Sequence, residues 1–161
     1  MSPQIIFPLD LVLGYIAWLL CFSAYIWPRL KAMDSVSAQR AIATFHSFRF
    51  IGLVFLVPGV VGPNLPANFA GFAAYWDLAT AILAILALLT IRVKALFWLF
   101  VAAFNIAGTI DLLFDYYHAI ISGLRTMPGE LGAAYVIPAI IVPMLMITHV
   151  AAFYLLIRSK P

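Results

Sequence analysis

Long apolar runs, separated by short segments that carry most of the charged residues, make up almost the whole chain. Within a run the apolar residues are nearly continuous, as in LATAILAILALLTI (78–91), and they lack the alternation with period two that strands of a membrane barrel show. Lipid offers no hydrogen-bond partners to the backbone, so an apolar segment that crosses it is expected to be an α-helix. The pattern predicts an all-α membrane protein with five transmembrane helices over residues 5–27, 41–61, 70–91, 95–124 and 133–157.

Proline and glycine mark the ends of these runs. Pro28 follows the first run, the segment 62–69 contains Pro63 and Pro66, and the segment MPGELG (127–132) precedes the last run. Both residue types interrupt helices, because proline lacks a backbone donor and glycine is conformationally free. No sequence repeat and no extramembrane domain is visible, so residues 1–161 are predicted to form a single helical bundle.

Composition strengthens the membrane prediction and excludes other classes of protein. Hydrophobic residues make up 66% of the chain, charged residues 9%, and the mean hydropathy is +1.10. Soluble domains are roughly 45–50% apolar and about 25% charged. The net charge of +3 comes from residues at the ends of apolar runs, which form no basic patch, so a lipid bilayer is the expected partner and nucleic acid is not.

The positive charges also predict an orientation. Lys and Arg concentrate in cytoplasmic segments of membrane proteins. Among the Lys and Arg residues outside the predicted spans, Arg125 alone falls on the same side of the membrane as the N-terminus. The N-terminus is therefore predicted to lie outside and the C-terminus in the cytoplasm. A bacterial cytoplasmic (inner) membrane is the expected location. The positive residues predicted to be cytoplasmic are Arg29, Lys31, Arg40, Arg92, Lys94, Arg158 and Lys160.

Ionisable residues inside the spans are the candidates for function. A charge at the bilayer centre costs from about 2.5 to more than 10 kcal/mol, so each needs a partner, water or a route to the surface. His46 and Arg49 are three residues apart and share one helix face. Arg49 either extends towards the cytoplasm or pairs with Asp77 inside the membrane. The predicted site for a small ligand or proton relay comprises His46, Arg49, Asp77, Asn105, Asp111 and His149.

A second polar stripe is predicted on the fourth span. Asp111, Asp115 and His118 follow at i, i+4 and i+7, which places two carboxylates and an imidazole on one face. They are weak candidates for a metal site, since no second helix carries the matching carboxylate and histidine pair of known bundle metal sites. The alternative is an outer vestibule in which Asp115 and His118 are solvated.

His46 and His149 are predicted at comparable depth in the cytoplasmic half. Two facing imidazoles at one level are what a bis-histidine haem requires. The alternative is that both are hydrogen-bonded core residues that carry no cofactor.

Three functional hypotheses follow. The leading one is a small inner-membrane protein with an intramembrane polar site that binds a small ligand or relays protons. Its rivals are a haem-binding redox module using His46 and His149, and a non-catalytic accessory subunit of a larger membrane complex or homo-oligomer. No nucleophile can be paired with a base and no catalytic motif is found, so an enzyme is not favoured. Asp77→Asn or Arg49→Ala is expected to lose function or folding, and Asp115→Asn to be mild.

Overall fold

The apolar runs form helices in the computed structural model, which describes residues 2–158, and no β-strand occurs within that range. The elements are α1 (Pro3–Cys21), a π-helical turn (Phe22–Ile26), α2 (Trp27–Ala32), α3 (Ser35–His46), a 3₁₀ helix (Ser47–Leu56), α4 (Ala67–Leu89), α5 (Lys94–Ile121), two short 3₁₀ helices (Leu124–Thr126 and Pro128–Tyr135), a second π-helical turn (Ile137–Ile141) and α6 (Val142–Arg158).

Four helical segments among the described residues are long and apolar enough to cross a membrane. Within their most apolar stretches, 11% of the residues of the first segment are buried, against 39% in each of the others. The first segment therefore lies at the edge of the bundle, with most of its surface uncovered. The four segments are Gln4–Ala32, Ala67–Leu89, Lys94–Ile121 and Ile137–Arg158.

The second predicted span is not one continuous α-helix. α3 ends at His46, and a ten-residue 3₁₀ helix follows it. Runs of 3₁₀ helix longer than three or four residues are uncommon, and their side chains align every three residues. His46, Arg49, Gly52 and Phe55 stand at that spacing, and all four are buried. The tighter winding therefore keeps one line of residues facing the interior, which a straight α-helix over 41–61 would not do.

The first span also departs from its predicted end at Pro28. The helix widens into a π-helical turn over Phe22–Ile26 and continues through Pro28 to Ala32. Proline has no backbone donor, so the helix forms one backbone hydrogen bond fewer at Pro28. The Arg29 side chain adds a bond in the same region, since its Nη1 donates to the carbonyl of Tyr25 at 2.5 Å.

The last span carries the distortion expected from Pro138 and Pro143, in the form of the π-helical turn before α6. α1 packs where this turn widens. The indole Nε1 of Trp18 donates to the carbonyl of Ile140 at 2.7 Å. Gly14 lies directly against the carbonyl of Ala139, which a Cβ at position 14 would overlap.

Two apolar core clusters divide the interior, and a polar layer separates them. One cluster surrounds Phe55, Phe69 and Leu112, and the other surrounds Ile42 and Phe104. Four segments of the chain pass from one cluster to the other through buried polar residues, and the first of these segments is α3 with the 3₁₀ helix. The polar residues are His46 and Arg49, then Asp77 and Thr80 on α4, Asn105 and Asp111 on α5, and Thr148 and His149 on α6.

Candidate functional site

Arg49 lies at the centre of the polar layer, on the 3₁₀ helix that follows α3. Its side chain has no exposed surface. The Nε group donates to Asp77 Oδ1 at 2.6 Å, and Nη2 donates to Asp111 Oδ2. Nη1 contacts the carbonyl of Gly108 at 3.3 Å and His149 Nε2 at 3.2 Å. Arg49 therefore pairs with carboxylates inside the bundle and does not extend to the surface, which excludes the first of its two predicted arrangements.

The contacts of Arg49 determine which nitrogen of His149 carries a proton. A guanidinium group only donates, so His149 Nε2 must accept, and the proton of the neutral ring is then on Nδ1. His149 Nδ1 lies 2.9 Å from Asn105 Oδ1, and Asn105 Nδ2 donates to the carbonyl of Val101 at 2.8 Å. In this series of hydrogen bonds each donor faces an acceptor, so the bonds hold His149 as a neutral imidazole.

His46 has the opposite arrangement. Its Nε2 lies 3.0 Å from Thr148 Oγ1, and the Thr148 hydroxyl donates to backbone carbonyls of its own helix. Thr148 therefore accepts from His46 Nε2–H, which leaves Nδ1 of a neutral His46 without a proton. That Nδ1 is buried and has no hydrogen-bond partner among residues 2–158.

The two histidines do face each other, but a haem does not fit between them. Their ring centroids are 4.1 Å apart. In a bis-histidine haem the two imidazoles stand on opposite faces of the porphyrin, so the porphyrin must lie between them. Rings already in contact leave no such space. In addition, both Nε2 atoms are engaged, by Thr148 and by Arg49.

Two glycines allow the charged side chains of this layer to approach the neighbouring helix backbones closely. A Cβ at position 108 would lie 2.5 Å from Arg49 Nη1 and 2.5 Å from His149 Nε2. A Cβ at Gly52 would overlap the carboxylate of Asp77. Only glycine permits the approach at both positions, because any larger side chain would displace a charged group from its partner.

The layer contains more negative than positive charge. One guanidinium, that of Arg49, faces two carboxylates, those of Asp77 and Asp111. Asp77 is 5% exposed and Asp111 has no exposed surface. In the described part of the chain, Asp111 Oδ1 is buried without a hydrogen-bond partner. An unpaired buried carboxylate oxygen is costly when ionised, so the arrangement favours a proton held among these groups.

The second polar stripe does not form a metal site. Within residues 2–158 no group of three or more potential metal ligands from His, Cys, Asp and Glu comes together. Asp111 is turned to Arg49, whereas His118 packs against Phe72 at 4.5 Å between ring centroids. Asp115 and His118 are half-buried, and among the described residues Asp115 Oδ1 and His118 Nδ1 are buried without a hydrogen-bond partner. The outer vestibule that would solvate these two residues stays a prediction.

The structure brings all six predicted site residues into one connected layer. The sequence did not single out four further buried residues, which are Gly52, Gly108, Thr148 and Gln39. Gln39 is fully buried and donates to the carbonyl of Ala152 at 2.9 Å. Gly52 and Gly108 each stand three residues from a charged member of the layer, and this spacing was the available signal. Lys160, predicted to be cytoplasmic, lies outside the described residues.

Comparison with known proteins adds a family but no function. A family model described as Domain of unknown function (DUF8737) matches residues 6–157. No curated protein and no solved structure matches the chain.

Proposed function

This chain belongs to the DUF8737 family, and we propose that it is an integral membrane protein that binds and relays protons through the polar layer around Arg49. Four described helices have the length and hydropathy to cross a bilayer. The apolar surface they leave uncovered includes many large side chains, such as Leu20 at 66% and Leu89 at 74% exposed. Lipid is the partner that stabilises such a surface.

The proposed topology has five crossings, as the apolar runs predict. In addition to the four long helical segments, the proposed topology has a crossing formed by α3 and the 3₁₀ helix that follows it. These two elements contain 12 and 10 residues. At about 1.5 Å per α-helical and about 2.0 Å per 3₁₀ residue they extend roughly 38 Å, more than the roughly 30 Å of bilayer hydrocarbon. We propose from the charge pattern that the N-terminus lies outside and the C-terminus in the cytoplasm. A bacterial inner membrane is the proposed location.

One observation carries the proposal for protons: the only guanidinium of the layer is buried, donates from most of its N–H groups and is outnumbered by carboxylates. Four of the five N–H donors of Arg49 already have acceptors. A small anion would have to displace Asp77 or Asp111 to bind there, so a small-molecule ligand has less support. A proton needs no cavity, and it neutralises the carboxylate that Arg49 does not balance.

Two atoms of the layer are suited to exchange that proton. Within residues 2–158, Asp111 Oδ1 and His46 Nδ1 are both buried acceptors without a hydrogen-bond partner. They belong to opposite ends of the layer, since Asp111 adjoins the apolar cluster around Leu112 and His46 adjoins the cluster around Ile42. A proton on Asp111 leaves Arg49 and Asp77 as a balanced pair. Its transfer to His46 Nδ1 would leave Asp111 ionised and the imidazole charged. Arg49 cannot take up a proton and both ring nitrogens of His149 are engaged, so water has to carry the proton between the two groups.

The experiment is a proton-flux measurement on the purified protein in liposomes that contain a pH-sensitive dye, with a potassium diffusion potential as the driving force. We expect uptake by the wild type and at least about tenfold slower uptake by Asp111→Asn, which removes a protonatable carboxylate. Asp34→Asn is the matched control, because Asp34 is an exposed residue before α3 and asparagine caps helices equally well.

The outcomes separate the hypotheses. Wild-type protein that acidifies liposomes no faster than empty vesicles would contradict proton transfer. A Soret absorption band in the purified protein, lost on His46→Ala, would instead favour the haem module. Stoichiometric co-purification with other subunits in mild detergent would favour the accessory role.

A further inference from the structure

A small cavity adjoins the polar layer on the side of Asp77 and Asp115. It has a volume of about 50 Å³, and its remaining walls are mostly apolar, with Phe69, Ala73 and Ala119 among them. A buried water needs about 10–15 Å³ of such space and two or more polar partners. Asp77 and Asp115 both line the cavity and supply those partners. The cavity can therefore hold a short chain of waters between two carboxylates.

An open pocket lies on the other side of Phe69. It has a volume of about 350 Å³ and is lined by Pro66, Asn68, His118 and Ser122. Phe69 lines both this pocket and the small cavity. His118 and Asp115 are three residues apart on α5, so they share one face of that helix. Polar groups therefore follow one another from the open pocket, past a single aromatic ring, to Asp77.

We propose that this route gives protons access to the layer, with Asp115 as the group that receives them from water. This proposal rests on the proton function proposed above and extends it to a specific path. Ionised Asp115 takes up a proton from water in the open pocket and then releases one to cavity water, which passes a proton on to Asp77 or Asp111, so that Asp115 returns to its ionised state. The structure thus replaces the expectation of a mild Asp115→Asn variant with one of slow proton uptake.

The charges around Asp115 come from three elements. Asp77 faces it from α4, Arg49 from the 3₁₀ helix, and Asp111 lies one turn away on α5 itself. Tyr116, which also lines the cavity, is hydrogen-bonded through its hydroxyl to Tyr15 on α1 at 2.7 Å. Asp115 is the carboxylate of this group that is closest in sequence to His118 and the open pocket.

Water in the cavity can be tested without measuring transport. Cys21 is the chain's only cysteine, so Cys21→Ser provides a background without thiols. Into it we would introduce Ala119→Cys, which lines the cavity, or Leu113→Cys, whose side chain is 57% exposed on the apolar face of the same helix. Silver ions react with thiolates, which form only where water reaches, so Ala119→Cys should react at least about tenfold faster. Phe69→Ala should accelerate that reaction further.

Equal reaction rates at positions 113 and 119 would overturn the water path. The role of Asp115 is tested in the liposome assay, where Asp115→Asn and the cavity-filling variant Ala73→Leu should each slow uptake at least about tenfold. Uptake that is lost in Asp111→Asn but normal in both of these variants would overturn the path while the proton function stands. If the wild type moves no protons, the function fails, and the silver reaction still decides whether water reaches Asp115.

Discussion

Gly108 on α5 lies against the guanidinium group of Arg49, close enough that a Cβ at position 108 would fall 2.5 Å from Nη1. The same Cβ would fall 2.5 Å from His149 Nε2. The backbone carbonyl of Gly108 also accepts from Nη1 at 3.3 Å. This glycine thus provides both the space and one of the acceptors that allow an arginine to be buried in the centre of an apolar bundle.

Gly108→Ala should therefore destabilise the protein, although alanine is the better helix former. Extra methyl groups in a packed core cost about 1–3 kcal/mol, and here the methyl also separates charged partners. Gly71→Ala is the control, because Gly71 lies on α4 and a Cβ there meets nothing within 4 Å. That variant should gain up to about 1 kcal/mol. Denaturation of both in mild detergent measures the difference, and a Gly108→Ala variant as stable as the wild type would contradict the packing described.

Removing the charge of Arg49 should be more damaging than removing all the charges of the layer. Arg49→Met leaves Asp77 and Asp111 buried without their cation, and breaking a buried ion pair in this way costs about 3–5 kcal/mol. The triple variant Arg49→Met, Asp77→Asn, Asp111→Asn contains no uncompensated charge, so it should recover a large part of the lost stability. A triple variant less stable than Arg49→Met would show that the charges are not the source of the cost.

The two histidines should differ in tautomer. His149 is expected to carry its proton on Nδ1, because Arg49 donates to Nε2, and His46 is expected to carry its proton on Nε2, because Thr148 accepts from it. Nitrogen chemical shifts of protein labelled with ¹⁵N-histidine report the protonation of each ring nitrogen directly. His46→Gln and His149→Gln assign the signals. A doubly protonated His149 at neutral pH would contradict the contact with Arg49.

The hydrogen bond between α1 and the π-helical turn before α6 should make a measurable contribution to stability, because α1 is otherwise little buried. Trp18→Phe removes the donor to the carbonyl of Ile140 and retains most of the aromatic surface. A net loss of about 0.5–1.5 kcal/mol is expected, since the carbonyl is left without this partner. Trp98→Phe is the control, because no hydrogen bond of the Trp98 indole is found within residues 2–158. Equal losses in the two variants would mean that the bond to Ile140 contributes nothing.

A pH dependence is expected at the start of α3. Asp34 accepts from the backbone N–H groups of Ser37 and Val36, each at 3.0 Å. Hydrogen bonds from Ser37 lower the pKa of Asp34 below its ordinary value. The cap therefore stabilises the helix fully above the ordinary pKa, and this contribution is lost as the pH falls through the lowered pKa. Denaturation between about pH 5 and about pH 2 should show a smaller loss for Asp34→Asn than for the wild type.

The apolar runs and their breaks were sufficient to predict the helical class and the approximate positions of the helices. They were sufficient because the hydrophobic requirement for crossing lipid acts on consecutive residues, so it is visible in one dimension. The cost of burying charge was equally visible, and it singled out the residues of the polar layer, Arg49 and Asp77 among them. The pairing of Arg49 with Asp77 was one of two arrangements that the sequence left open, and the structure decided between them.

Other features depended on how the helices pack. The 3₁₀ winding after His46, the contact of the two imidazole rings and the need for Gly52 and Gly108 arise from distances between residues far apart in the chain. Periodicity within one helix carries no information on which face of a neighbour it will meet. The sequence by itself therefore determined which groups had to be buried in an apolar, helical protein. Only the tertiary structure decided their partners, because those partners are selected by the close approach of four separate segments.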